Sequence, residues 1–225
     1  MKYGGVSLQG SYHAENQDAY MVCELDGNYI LAVSDGLGSR PHSAVGSAAL
    51  CKVVYETLVE CSCQIVSAED FLRDVHERWK IAVAEKELDI SDSNATALIC
   101  IVTAEDIHAY RLGDGFLAVA ADGERAVLFD EKEDGFANLT DCLDSDFILA
   151  SWEYRHLCMR TFEGVIAGTD GLDLHMNATN LTDFLYDFCA EYQAETAEEI
   201  EADIRMWLPR LGGVDDTTLA FLLPS

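Results

Sequence analysis

The stretch "ILAVSDGLGSR" (residues 30–40) decides the reading. Ile30, Leu31, Ala32 and Val33 read as a buried strand, and the chain leaves it on Asp35-Gly36. Asp-Gly is a common turn dipeptide, because glycine tolerates positive φ and aspartate bonds to its own backbone. The device recurs, however. "GVIAGTDGL" (164–172) ends an apolar strand on Asp170-Gly171, and "AYRLGDGFLAV" (109–119) places Asp114-Gly115 between two apolar runs. One such corner is a turn; three point to a site.

The surrounding chain is globular and strongly acidic. Its 225 residues are 49% apolar, with three prolines, and no linker or low-complexity segment interrupts them, so a single domain over 1–225 is expected. With 41 acidic against 14 basic residues, the net charge of −27 disfavours nucleic acid and anionic lipid as partners. Eight cysteines lie scattered without a CxxC pair, which argues against structural zinc. "MKYGGVSLQG" lacks an apolar core, so no secretory signal is expected, nor any membrane span. Reduced thiols in a cytoplasm are the expectation.

Periodicity groups the elements into blocks. "YGGVSLQG", "DAYMVCEL" and "YILAVS" read as strands, the latter two joined by an Asp26-Gly27-Asn28 hairpin. Helical spacing follows from Ser43 to about Val59, and a capping box at Ser67 opens a second helix through Phe71, Leu72, Val75, Trp79 and Val83. Alternation then takes over. "ATALICIVTA", "IHAYRLG", "FLAVA" and "RAVLF" predict an antiparallel meander, and "YRHLCMR" with "GVIAGT" predicts another strand pair beyond an acidic, irregular 131–150. A helix carrying Leu181, Phe184, Leu185 and Phe188 precedes one that opens at Thr196-x-x-Glu199 and is expected to stop at Pro209. "TTLAFLL" is the final strand. Blocks of this kind predict an α+β fold with two antiparallel sheets, each covered by a helix pair.

On that fold Asp18, Asp35, Asp114, Asp170 and Asp215 all fall at strand ends, where a sandwich would let them converge. Clustered carboxylates repel one another and raise their own pKa values. A divalent cation removes the conflict, and an all-oxygen set selects Mg²⁺ or Mn²⁺ over zinc.

In order, "NQDAY…ILAVSDGLGS…GSAAL", "NATALICIV…RLGDG", "IAGTDGL" and "GGVDDTTLAFLL" resemble the metal-dependent type 2C Ser/Thr protein phosphatases in their compact bacterial form, over nearly the whole chain. The resemblance implies a four-layer αββα sandwich with two Mn²⁺ or Mg²⁺ ions in the cleft. Asp35 would bridge the ions, the Gly36 carbonyl would bind one, Asp170 and Asp215 would complete one shell, and Gln17 and Asp18 would touch the second through water. Asp114 would recruit a weaker third ion. The implied chemistry is in-line attack of a bridging hydroxide on phosphoserine or phosphothreonine, without a cysteine nucleophile. A phosphorylated protein made by a Ser/Thr kinase would be the partner, with the chain acting as a monomer.

Departures from the pattern concern the substrate. His13 stands five residues before Asp18, where the family has a phosphate-gripping arginine, and Arg40 falls where a histidine is common, with His42 close behind. Both keep an ordinary reading as surface residues. Asp216 replaces the usual asparagine and, like Asp173, reads more readily as a turn former than a ligand. His76, His108, His156 and His175 show no metal-like spacing and read as structural. The segment between Asp114 and Asp170 is short, implying a reduced flap. Beside the phosphatase, a non-catalytic phosphoprotein-binding module and a small-molecule phosphatase stay open as alternatives.

Overall fold

A run such as Ile30–Val33 stays apolar without alternation only if both faces of its strand are covered. The computed structural model describes residues 1–129, 140–172, 177–211 and 213–225, and it covers both faces. Strands β1 (Lys2–Leu8), β2 (Ala19–Leu25) and β3 (Asn28–Ser34) precede helices α1 (Ser43–Glu60) and α2 (Ala68–Ala84). β4 (Ala97–Val102), β5 (Asp106–Leu112), β6 (Phe116–Ala121), β7 (Glu124–Phe129), β8 (Glu153–Cys158) and β9 (Phe162–Gly168) follow. Helices α3 (Ala178–Glu191) and α4 (Ala197–Leu211) lead to β10 (Thr217–Leu223). The strands form two five-stranded antiparallel sheets, ordered β1-β10-β9-β6-β7 and β2-β3-β4-β5-β8.

Three apolar layers separate the four layers of structure. Ile30 and Ala32 meet Leu50, Val54 and Trp79 of the first helix pair, while Leu31 and Val33 meet Leu117, Val165 and Leu222 across the sandwich. The third layer joins Ile166 and Phe221 to Leu181, Leu185 and Ile204 of α3 and α4. Each such side chain, fully buried, is worth about 1.5–3 kcal/mol of hydrophobic transfer. The α+β sandwich expected from the block pattern is the observed fold.

Local signals set the element ends. Asp26 and Gly27 take φ of 51° and 82° in the β2–β3 hairpin. The Ser67 side chain accepts the Asp70 N–H, and at α4 the cap is reciprocal: Thr196 N donates to Glu199 Oε2 (2.9 Å) and Glu199 N to Thr196 Oγ1 (3.3 Å).

Three expectations are corrected. The four-strand meander breaks at Gly113-Asp114-Gly115, where the chain leaves β5 in one sheet and enters β6 in the other. Gly113 and Gly115 take φ of 88° and 93°, which makes the crossing possible for glycine and strained for other residues. β8 and β9 are not a pair either; β8 closes the edge beside β5, and β9 lies between β10 and β6. Alternation identifies a strand but not its partner. Finally, Pro209 lies inside α4 rather than ending it. It removes one ladder bond near the end, and packing of Leu208 and Leu211 on the core holds the last turn. The predicted irregular segment 131–150 is only partly covered, since 130–139 lie outside the described residues, as do Asp173 and His175.

Candidate metal centre

β3 and β9 end, and β2 and β10 begin, at the same edge of the sandwich. Asp35 follows β3, Asp170 follows β9 by two residues, Asp18 precedes β2, and Asp215 precedes β10 by two. The four carboxylates converge. Burial, then the charges of Asp18, Asp170 and Asp215, hold the Asp35 carboxyl well above the usual carboxylate range. Asp18 is pushed up to about 7, chiefly by burial; hydrogen bonds from Thr218 and Thr169 oppose the shift, and the charge of Asp216 adds to it.

Backbone and hydroxyl contacts fix these groups in place. Asp35 N donates to Thr96 Oγ1 (2.9 Å) and Thr96 N donates to Asp35 O (2.8 Å), locking the corner to the start of β4. Asp18 Oδ2 accepts from Thr169 Oγ1 (2.9 Å) and Thr218 Oγ1 (2.7 Å), tying the two sheets together. Its other oxygen, Oδ1, is buried without a hydrogen-bond partner, as is Gln17 Oε1. Buried oxygens left unpartnered are costly, and beside mutually repelling carboxylates they are the donor set that hard dications satisfy. The residues therefore fit Mg²⁺ or Mn²⁺.

The glycines beside the aspartates serve the packing of the chain. A Cβ on Gly36 would lie 2.7 Å from the Ser43 carbonyl carbon and 2.8 Å from Gln17 O, and one on Gly171 would lie 1.9 Å from Asp216 O. Only glycine lets these strands approach so closely. Asp114 sits at the crossing, where Thr140 Oγ1 donates to its Oδ2 (2.9 Å). A Cβ on the adjoining Gly115 would meet Gly168 O at 2.7 Å, so this corner abuts the strand that delivers Asp170.

The residues with uncertain roles separate clearly. His13 Nε2 lies 3.3 Å from Asp215 Oδ1, with the imidazole only 11% exposed. The Tyr12 ring meets it edge-on at 4.8 Å. Arg40 is exposed and lines a groove of about 370 Å³ with Leu37, Thr140, Asp141 and Ser151. Asp216, read as a turn former, is 3% exposed and accepts from Gly10 N (2.8 Å) and Gln17 N (2.7 Å). It holds Gln17 and Asp18 against β10, and its neighbour Asp215 is left facing out. Sequence reasoning missed Asp216, Thr169 and Thr218 as supports. The doublet Asp215-Asp216 at a strand start was the available signal, since alternate residues there face opposite ways.

A family model described as protein phosphatase 2C matches residues 11–209. This chain belongs to the protein phosphatase 2C family. No curated protein matches its sequence. Solved structures do match. A bacterial serine phosphatase superposes with a TM-score of 0.72 at 11% identity, covering 100% of this chain and 98% of the other. The serine/threonine phosphatase Stp1 from Staphylococcus aureus gives 0.71 at 13% identity over 100% and 96%. RsbX in complex with magnesium gives 0.61 at 18% identity over 98% and 94%. At such identities the phosphatase 2C fold is what is shared.

Proposed function

We propose that this phosphatase 2C chain is a metal-dependent hydrolase of phosphoserine and phosphothreonine in protein substrates. The convergence of Asp18, Asp35, Asp170 and Asp215, with unpartnered oxygens on Asp18 and Gln17, carries the proposal. Asp35, the Gly36 carbonyl, Asp170 and Asp215 would hold two Mn²⁺ or Mg²⁺ ions, with Gln17 and Asp18 around the second and Asp114 at a weaker third. Bound there, the ions supply charge neutralisation for the phosphoryl group and an activated water.

The protein's own residues do the positioning. Thr169 and Thr218 orient Asp18, leaving Oδ1 for the cleft. His13, with Nε2 3.3 Å from Asp215 Oδ1, would steady that carboxylate from the side. This role would take the place of the phosphate grip that its sequence position invites, because Nε2 lies against Asp215. Arg40 then becomes the phosphate-binding group, its exposed guanidinium at a groove that reaches Asp114 through Thr140. The groove would receive a phosphorylated segment prepared by a Ser/Thr kinase. The proposal takes residues 1–225 as one domain acting as a cytoplasmic monomer; no helix among the described residues is long and apolar enough to cross a membrane.

Phosphate release from a phosphoserine peptide with Mn²⁺, compared with EDTA, tests the reading. Metal-dependent release by the wild type, abolished in D35N, is expected. Peptide binding without release would leave a binding module instead.

A further inference from the structure

At the end of the second sheet away from the carboxylates, a different set of donors meets. His108 of β5 lies directly opposite His156 of β8, and Asp106 lies opposite Cys158. Residues two apart on a strand share a face, so both pairs project to the same side. The two imidazoles stack with centroids 4.7 Å apart and planes 15° from parallel. One donor atom each from Asp106, His108 and His156 can be chosen so that all lie within 4.8 Å of one another. His108 and His156 show no metal-like spacing in the sequence because the pairs are far apart there, and only strand pairing joins them.

The ring nitrogens are already sorted. His108 Nδ1 is 3.2 Å from the Tyr154 hydroxyl, which orients the ring and leaves its other nitrogen available. His156 Nε2 lies 2.9 Å from Asp106 Oδ1, and the exposed Cys158 stands opposite Asp106 in the strand pair.

We propose that Asp106, His108, His156 and Cys158 form a binding site for a transition-metal dication, zinc foremost, separate from the phosphatase cleft. Two imidazoles, a carboxylate and a thiolate are a donor set for tetrahedral zinc and are poorly suited to Mg²⁺. With metal–ligand bonds of about 2.0–2.3 Å, donors in a tetrahedral shell stand roughly 3.3–3.8 Å apart. The Asp106, His108 and His156 donors must therefore close by about 1 Å, and the exposed Cys158, opposite Asp106, must turn its thiol in to join them; exposed and half-exposed side chains on one sheet face can do this by rotation. Binding displaces the proton shared by His156 and Asp106 and releases the Cys158 thiol proton. The ion would staple the edge strand β8 to β5, roughly 20 Å along the chain from the Asp114 corner at 3.3 Å per residue.

The test uses full-length protein carrying D35N and D215N, stripped of metal and titrated with Co²⁺ as a spectroscopic stand-in for zinc. One equivalent should bind with the visible bands of a tetrahedral site plus a thiolate charge-transfer band, and zinc should displace it. H108A/H156A should lose the bands and weaken zinc binding more than about 100-fold, beyond the effect of removing a supporting group. H156A alone, on the exposed edge, should show the same direction of loss with an unchanged circular dichroism spectrum. C158S should delete only the charge-transfer band. No Co²⁺ uptake by the D35N/D215N protein, or an unaltered spectrum and affinity in H108A/H156A or in folded H156A, overturns the site. A charge-transfer band that survives C158S removes Cys158 from it.

Discussion

Both ends of the second sheet gather ionisable side chains, in opposite electrostatic states. At the cleft end, Asp35 and Asp18 are buried among other carboxylates and held above the usual range. At the far end, Asp106 is held below it, chiefly by the hydrogen bond from His156. One cluster sets carboxylates against one another; the other sets a carboxylate beside imidazoles. A cluster that is costly to the bare protein marks a place where a ligand supplies the missing charge.

Substitutions at the strained end should have the largest effects. Asp35→Asn should reduce Mn²⁺-dependent phosphate release by more than the roughly 100-fold typical of losing a supporting group one step removed from a metal. It should also abolish the rise in Tm that Mn²⁺ gives the wild type through binding to the folded state. Activity and the Tm shift surviving together in D35N would break the contrast between the two ends.

Asp216→Ala is next. It leaves the Gly10 and Gln17 N–H groups without their carboxylate acceptor, so about 2–4 kcal/mol of stability should be lost, read from urea unfolding. Asp215→Ala, at a side chain 54% exposed, should cost the bare protein far less.

The metal-free protein should show the strain as a pH dependence. Asp18 titrates near 7 when folded and near 3.8 when unfolded, so the folded state binds more protons between these values. Stability in EDTA should therefore fall as pH rises from 5 to 7, by several degrees of Tm at roughly 2–4 °C per kcal/mol. Excess Mn²⁺ should remove the fall. D35N, which takes the raised Asp35 carboxyl itself out of the titration, should flatten it; an equal slope in D35N would assign the trend to the acidic surface at large.

What the sequence disclosed follows the same contrast. The cleft carboxylates each sit beside a strand in a short contiguous motif, so Asp35, Asp170 and Asp215 are legible in the order of the residues alone. Ile30–Val33 likewise announced a strand covered on both faces. The pairing of β8 with β5 could not be read, because alternation carries no information about partners, and so the His108–His156 pair stayed hidden. The patterns Asp106-x-His108 and His156-x-Cys158, each on one strand face, were the available hint. The neighbour of His13 was hidden for a related reason: its sequence position suggests phosphate, and only the fold brings its Nε2 to 3.3 Å from Asp215.

Smaller effects should separate His13 from Arg40. His13→Ala should weaken Mn²⁺ binding by roughly 10-fold and lower kcat, as expected of a group that orients a ligand. Arg40→Ala should raise KM with kcat little changed, the mark of binding shared by substrate and transition state. Exchanged behaviours would return the phosphate grip to His13.

An anomalous difference map from a crystal soaked in Mn²⁺ reaches the central claim most directly. The account predicts strong peaks within coordination distance of Asp35, Asp170 and Asp215, and weak or no density at Asp106, His108 and His156. A map empty at the carboxylates, with manganese bound only at the histidine end, would contradict it.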